Sequence, residues 1–162
     1  MNQFANALGK QFIENKDAIR VRSFELGGHT FKVKIPLTAE YEAMLERVKL
    51  VNPEKAESYY QNLAKEFLNN RSEFEKENDI KYTDNDIILK GTSLKETAKN
   101  KVITENRIVE LFKLIVPEEI GFDMNTINYS MIEDLFPFPV QIQVIEEINN
   151  VISPAYKATK GK

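Results

Sequence analysis

His29 is the chain's single histidine and the first residue to test for chemistry. A catalytic imidazole works with a nucleophile or an acid partner, and a metal centre needs several strong ligands. His29 instead stands beside Gly27-Gly28 in an alternating stretch, which gives it the reading of a structural or edge residue. No serine has the setting of a nucleophile, since Ser58 and Ser130 fall in helical sequence. The absence of cysteine removes disulfides, zinc thiolates and cysteine nucleophiles together. Asp79, Asp84 and Asp86 suggest calcium. An EF-hand loop, however, needs glycine at its sixth position and glutamate at its twelfth. Counted from Asp79 these positions hold Asp84 and Lys90, and counted from Asp84 they hold Leu89 and Lys95. The pairs Glu118-Glu119 and Glu146-Glu147 are adjacent in sequence, and neighbours on a helix diverge by about 100°, so they do not converge on one proton. Gly27-Gly28 lacks the further glycines, the lysine and the following helix of a phosphate loop. The expectation is no catalytic residue, no metal ligand, no cofactor and no enzymatic activity.

The elements that would have to position such residues are clearer. Residues 19–35 read as a β-hairpin turning at Gly27-Gly28, where glycine takes positive φ without a Cβ clash. A two-residue loop pairs Leu26 with His29, Phe24 with Phe31 and Arg22 with Val33. One face then carries Phe24, Leu26, His29, Phe31, Val33 and Ile35, and the other Glu25, Thr30, Lys32 and Lys34. Ile19 and Val21 are out of phase with Phe24 and Leu26, so either a β-bulge sits near Ser23 or pairing begins only there, and the bulge is the favoured reading. Pro36 stops the second strand, and Thr38 caps a helix over 39–51 with Tyr41, Met44, Leu45, Val48 and Val51 in its stripe. Asn52-Pro53 opens a second helix, 53–70, striped with Ala56, Tyr59, Tyr60, Leu63, Ala64, Phe67 and Leu68. The polar run 73–86 reads as a solvated loop or a frayed helix end. A small hairpin pairing 80–82 with 87–89 is open to the chain around Asp84-Asn85. Ser93-Leu94-Lys95-Glu96 is a capping box for a helix running toward Val116, where Pro117 ends it. Asn128 starts a short helical piece that closes at Leu135. Phe136-Pro137-Phe138-Pro139 predicts an extended crossing, and a last helix follows from Pro139 to Ile152.

The fold class expected is α+β, mostly α-helical with an N-terminal β-hairpin. Residues 1–152 make one domain, with an arm at 1–18 and the hairpin at 19–35, and 153–162 form a basic disordered tail. The chain has 162 residues and a net charge of -3, which argues against nucleic acid as main partner. No apolar run approaches the roughly 20 residues that span a bilayer, so no membrane partner is expected. Gly9 and Lys10 stand where a secretory signal would be apolar. The expected location is cytosolic.

Two apolar features are candidates for binding a partner. Phe4, Leu8 and Phe12 recur every fourth residue in the arm, which either packs on its own domain or docks on another subunit. Phe136 and Phe138 either plug the core at a tight crossover or form an exposed ledge.

Two stretches, FELGGHTFKVKIPLTAEYEAML at 24–45 and LFPFPVQIQVIEEINNVISPAYK at 135–157, together resemble the tail assembly chaperones of long-tailed bacteriophages. The order of hairpin, helices and short basic C-terminus is similar too. The resemblance implies a small, largely helical, non-enzymatic protein of the host cytoplasm. Such a protein binds the tape measure protein, helps recruit tail tube protein subunits and is absent from the finished virion. A homo-oligomer is compatible with that class. Many family members also yield a minor longer form by ribosomal frameshifting. Lys160-Gly161-Lys162 can be encoded by a purine run on which ribosomes slip, so a slippery run and an overlapping frame are expected there. A structural tail component or adaptor retained in the virion is the second reading. A small enzyme is the third, disfavoured by the missing constellation.

Overall fold

Gly27 and Gly28 take φ of 60° and 79° in the turn between β1 (Val21–Leu26) and β2 (His29–Lys34). Two successive residues at positive φ make the type I′ turn whose twist matches the flanking strands. The register follows from that turn: Leu26 faces His29, Phe24 faces Phe31 and Arg22 faces Val33. The rings of Phe24 and Phe31 stack at 5.1 Å. Phe24 and Val33 are buried, each worth about 1.5–3 kcal/mol in apolar burial. The bulge expected near Ser23 is not formed; pairing continues unbroken back to Val21 and Lys34. The phase conflict has another cause. Ala18–Arg20 is a 3-10 turn, so Ile19 never enters the strand and stays exposed.

A computed structural model describes residues 2–156. The fold is α+β and mostly α-helical, with the hairpin near the N-terminus and a second, three-stranded sheet. Contacts within the chain group it into two compact units, Met1–Ala43 with Ile108–Lys162, and Met44–Arg107. Sequence reading treats 1–152 as one domain. No helix among the described residues is long and apolar enough to cross a membrane.

In the first unit the arm forms two short helices, α1 (Gln3–Ala7) and α2 (Lys10–Asn15), rather than one. Gly9 at φ 98° breaks them apart. α3 (Thr38–Val48) begins in this unit, and Arg20 ties its first turn to the hairpin by donating to Ile35 O at 3.0 Å and pairing with Glu40 at 3.0 Å. The helix expected to reach Val116 stops earlier. α6 (Leu94–Phe112) ends at Phe112, and residues 114–116 leave it to pair with β2. Lys34 N–H donates to Leu114 O at 2.8 Å, and Val116 N–H donates to Lys32 O at 2.8 Å. The outer groups of β2 need partners, β-branched Ile115 and Val116 suit a strand, and Pro117 bars Val116 from helical ψ. α7 (Tyr129–Glu133) starts where Asn128 accepts from Met131 N–H at 3.0 Å. α8 (Phe138–Ile152) packs against β1 and β2 and buries Val144, Ile145, Ile148 and Val151. The Phe136–Pro139 crossing is shorter than expected: Pro137 sits at the N-cap of α8, extended with ψ 151°. Phe138 and Pro139 already belong to the helix, because proline is tolerated in the first turn, where its missing N–H costs no intrahelical bond.

The second unit is built around α4 (Pro53–Asn69), capped by Asn52, which accepts from Lys55 N–H at 3.1 Å. After α5 (Arg71–Phe74) come β3 (Ile80–Tyr82), β4 (Ile87–Leu89) and β5 (Thr92–Ser93). The small hairpin pairs Ile80 with Leu89, Lys81 with Ile88 and Tyr82 with Ile87. Tyr60 and Ala64 of α4, Ile87 of β4, and Leu94 and Ala98 of α6 form one buried cluster. Ser93 caps α6 by accepting from Glu96 N–H at 3.1 Å.

Residues 153–156 of the expected tail are described: Ser153 ends α8 and Arg22 lies 4.7 Å over the Tyr156 ring. The remainder, 157–162, with the frameshift expectation at Lys160–Lys162, lies outside the described residues.

Candidate functional site

The groups that could do chemistry are spread through the fold and engaged in holding it. His29 is exposed at the hairpin end and meets Phe31 edge-on at 4.5 Å. Asp86 lies between β3 and β4, where it accepts from Ser93 Oγ, from Ile87 N–H at 2.8 Å and from Lys95 N–H at 3.1 Å. Burial works to raise its carboxyl pKa. The Ser93 hydroxyl, the two backbone N–H groups and the Lys95 charge outweigh that and hold it below the usual carboxylate value. Tyr60 is pushed the other way, first by burial and then by the negative charges of Asp86 and Glu57. Asp79 and Asp84 do not join Asp86 in a ligand set: among the described residues no group of three His, Cys, Asp or Glu could hold a metal.

Glu105 is a buried acid that sequence reading passes over. Both its oxygens accept from Tyr59 OH at 2.7 Å, and Lys55 Nζ approaches Oε1 at 2.8 Å. Lys101 lies 4.2 Å from the centre of the Tyr59 ring. This is a clamp between α4 and α6. Gln141 is similar, receiving a hydrogen bond from Tyr129 OH at 2.9 Å and donating one to Phe136 O at 2.8 Å. Sequence could have flagged Glu105 and Gln141, since each falls on the apolar stripe of its helix.

The five residues expected to bind a partner separate into two kinds. Phe4 is 69% exposed and Leu8 47% exposed, so neither packs into a core. Phe12 is half-buried on α2, and the break at Gly9 means that the three do not share one helical face. Phe136 and Phe138 part company as well. Phe136 is half-buried and meets Phe112 edge-on at 5.4 Å, whereas Phe138 is 53% exposed. Phe136 follows the core-plugging alternative and Phe138 the exposed one.

Two clefts lie elsewhere on the described residues, and none of the five residues lines either. One, of about 450 Å³, lies between the start of α3 and the end of α8, lined by Ile35, Pro36, Tyr41, Ile152 and Pro154 with Thr38, Asn149 and Ser153. The other, of about 470 Å³, opens over Ile88 between Asp79, Lys81 and Lys90. The first has apolar walls suited to a side chain of a partner. The second sets Asp79, Lys81, Lys90, Asn78 and Gly91 around one isoleucine.

No family model, no curated protein and no solved structure matches the chain. The functional reading therefore stands on the residues. Phe4, Leu8, Leu135 and Phe138 are among the large apolar side chains left exposed.

Proposed function

We propose that this protein is a non-enzymatic tail assembly chaperone of a long-tailed phage. In that role it binds the tape measure protein in the host cytoplasm and brings tail tube subunits to it. The observation that carries the reading is the set of large apolar side chains held at the surface on ordered elements, Phe4 and Leu8 on the arm and Phe138 at the start of α8. Exposed aromatic and aliphatic anchors of this kind are the usual means of capturing another protein. The two stretches that resemble the chaperone family support it further: residues 24–45 supply the second half of β1, the turn, β2 and most of α3, and residues 135–157 include all of α8.

The test is mass spectrometry of infected cells and of purified virions, with the tape measure protein as bait in the cell extract. The chaperone reading expects the chain in the tape measure complex and not in the particle. Finding it in the particle at a fixed copy number would make it a structural tail component or adaptor instead.

A further inference from the structure

We propose that the corner where α7 meets α8 is a docking surface for a basic, amphipathic helix of a partner protein. Between Leu114 and Tyr156 the chain contains no lysine, arginine or histidine. Within that stretch Met131 lies on α7, Leu135 in the turn that follows it, where Leu135 N–H donates to Ile132 O at 3.1 Å, and Phe138 in the first turn of α8. Leu135 is 77% exposed, and Met131 and Phe138 are exposed beside it in sequence. Phe136 is not part of this surface, because it turns in against Phe112.

The charges of the same segment are all acidic. Glu133 and Asp134 are exposed between Met131 and Leu135, and Glu118, Glu119 and Asp123 are exposed in the preceding loop. Asp123 caps the following 3-10 turn through Asn125 N–H, and none of the five makes a salt bridge among the described residues. In the same loop Ile120 is fully exposed in the Glu119–Phe122 turn, where Gly121 has φ 88°.

Apolar anchors on a segment whose only charges are acidic select among occupants. A partner with lysine or arginine along the edges of an apolar stripe gains from both features at once. An acidic or neutral helix gains only from the apolar contact. A second copy of this chain, docked on the same face about a two-fold axis, would set these carboxylates against their own images, which opposes self-association. The inference names the chemistry of the partner whichever protein that is, so it stands apart from the assembly reading.

The experiment uses the full chain and a fluorescein-labelled synthetic helix with leucine along one face and lysine along its flanks. Fluorescence anisotropy should show binding at low salt that weakens as salt rises, and no binding of the same helix with glutamate in place of lysine. Leu135→Ser with Phe138→Ser should lower affinity about tenfold or more. Glu133→Gln with Asp134→Asn should weaken binding and flatten the salt dependence. The same charge removal on α4, Glu54→Gln with Glu57→Gln, should change nothing. No binding of the lysine helix at low salt overturns the proposal, as does equal binding by the Leu135/Phe138 and Glu54/Glu57 variants. Binding of the glutamate helix overturns the basic partner. Concentration-dependent dimerisation that Leu135→Ser abolishes in sedimentation would show a second copy on this face and overturn it too.

Discussion

Three positions hold most of what single side chains decide here. Gly28 is at φ 79° with open space around a built Cβ, so the only penalty for substitution is backbone strain. Gly28→Val should cost about 1–3 kcal/mol, read as a lower urea midpoint at unchanged slope. A midpoint equal to the parent's would show that the turn lies elsewhere. Lys90 is the converse case, a lysine at φ 51° in the Leu89–Thr92 turn, followed by Gly91 at φ 81°. Asparagine tolerates that region better, so Lys90→Asn should raise stability by about 0.5–1 kcal/mol in the same assay. A fall would mean that the lysine side chain makes up for its strained backbone. Asp86 sets an acid limb. Its folded pKa lies below the unfolded 3.8, with burial opposing and the Ser93, Ile87 and Lys95 contacts prevailing. The stability it contributes is therefore full above that unfolded value and is lost as pH falls through the folded one. Asp86→Asn should destabilise at neutral pH, and its difference from wild type should shrink toward acid; a constant difference across the titration would contradict this. The glycine turn was legible in sequence because glycine pairs report φ directly. Asp86 was not, since two of its three donors, Ser93 and Lys95, reach it only after β4 and β5 pair.

Arg22 acts at the scale of the element. In sequence it is one more polar residue opposite Val33. In the fold its Nη1 donates to Val151 O at 2.7 Å and Ser153 O at 3.2 Å, closing the last carbonyls of α8 with a positive charge where the helix end is negative. Arg22→Ala should destabilise by about 1–3 kcal/mol and speed hydrogen exchange in the last turn of α8, with Arg22→Lys recovering part of both. Unchanged exchange there would show that the turn is held by packing alone. The helices were readable because their stripes and caps are local: Asn52-Pro53, Ser93 and Asn128 all cap where sequence places them. The misreadings are non-local. Residues 114–116 continue an apolar helical run and were assigned to it, but the outer edge of β2 recruits them as strand. Ile19 alternates like a strand residue and was read as one, but the 3-10 turn ends its phase before pairing begins.

At the scale of the whole molecule, the arm gives the clearest separation of folding from binding. Phe4 and Leu8 are solvent-facing, so replacing both with serine should leave the melting temperature within a degree or two while weakening capture of the tape measure protein in a pull-down. Loss of the fold would place them in a core after all. The fold class could be read from periodicity, whereas the division of Phe136 from Phe138 could not, because two residues apart in an extended stretch and two residues apart across a helix start point differently. The grouping of chain ends into one unit has a consequence for synthesis. Arg22 and Val151 are 129 residues apart in the chain. At a translation rate of about 5–20 residues per second, the hairpin leaves the ribosome about 6–26 s before the helix that covers Phe24 and Val33. Met44–Arg107, continuous in sequence, emerges in between with all of its own residues in hand. The order of folding on the ribosome is thus inverted with respect to the order of emergence: the later-made middle can close first, and the first-made hairpin waits, apolar face open to nascent-chain binding factors, for the last helix.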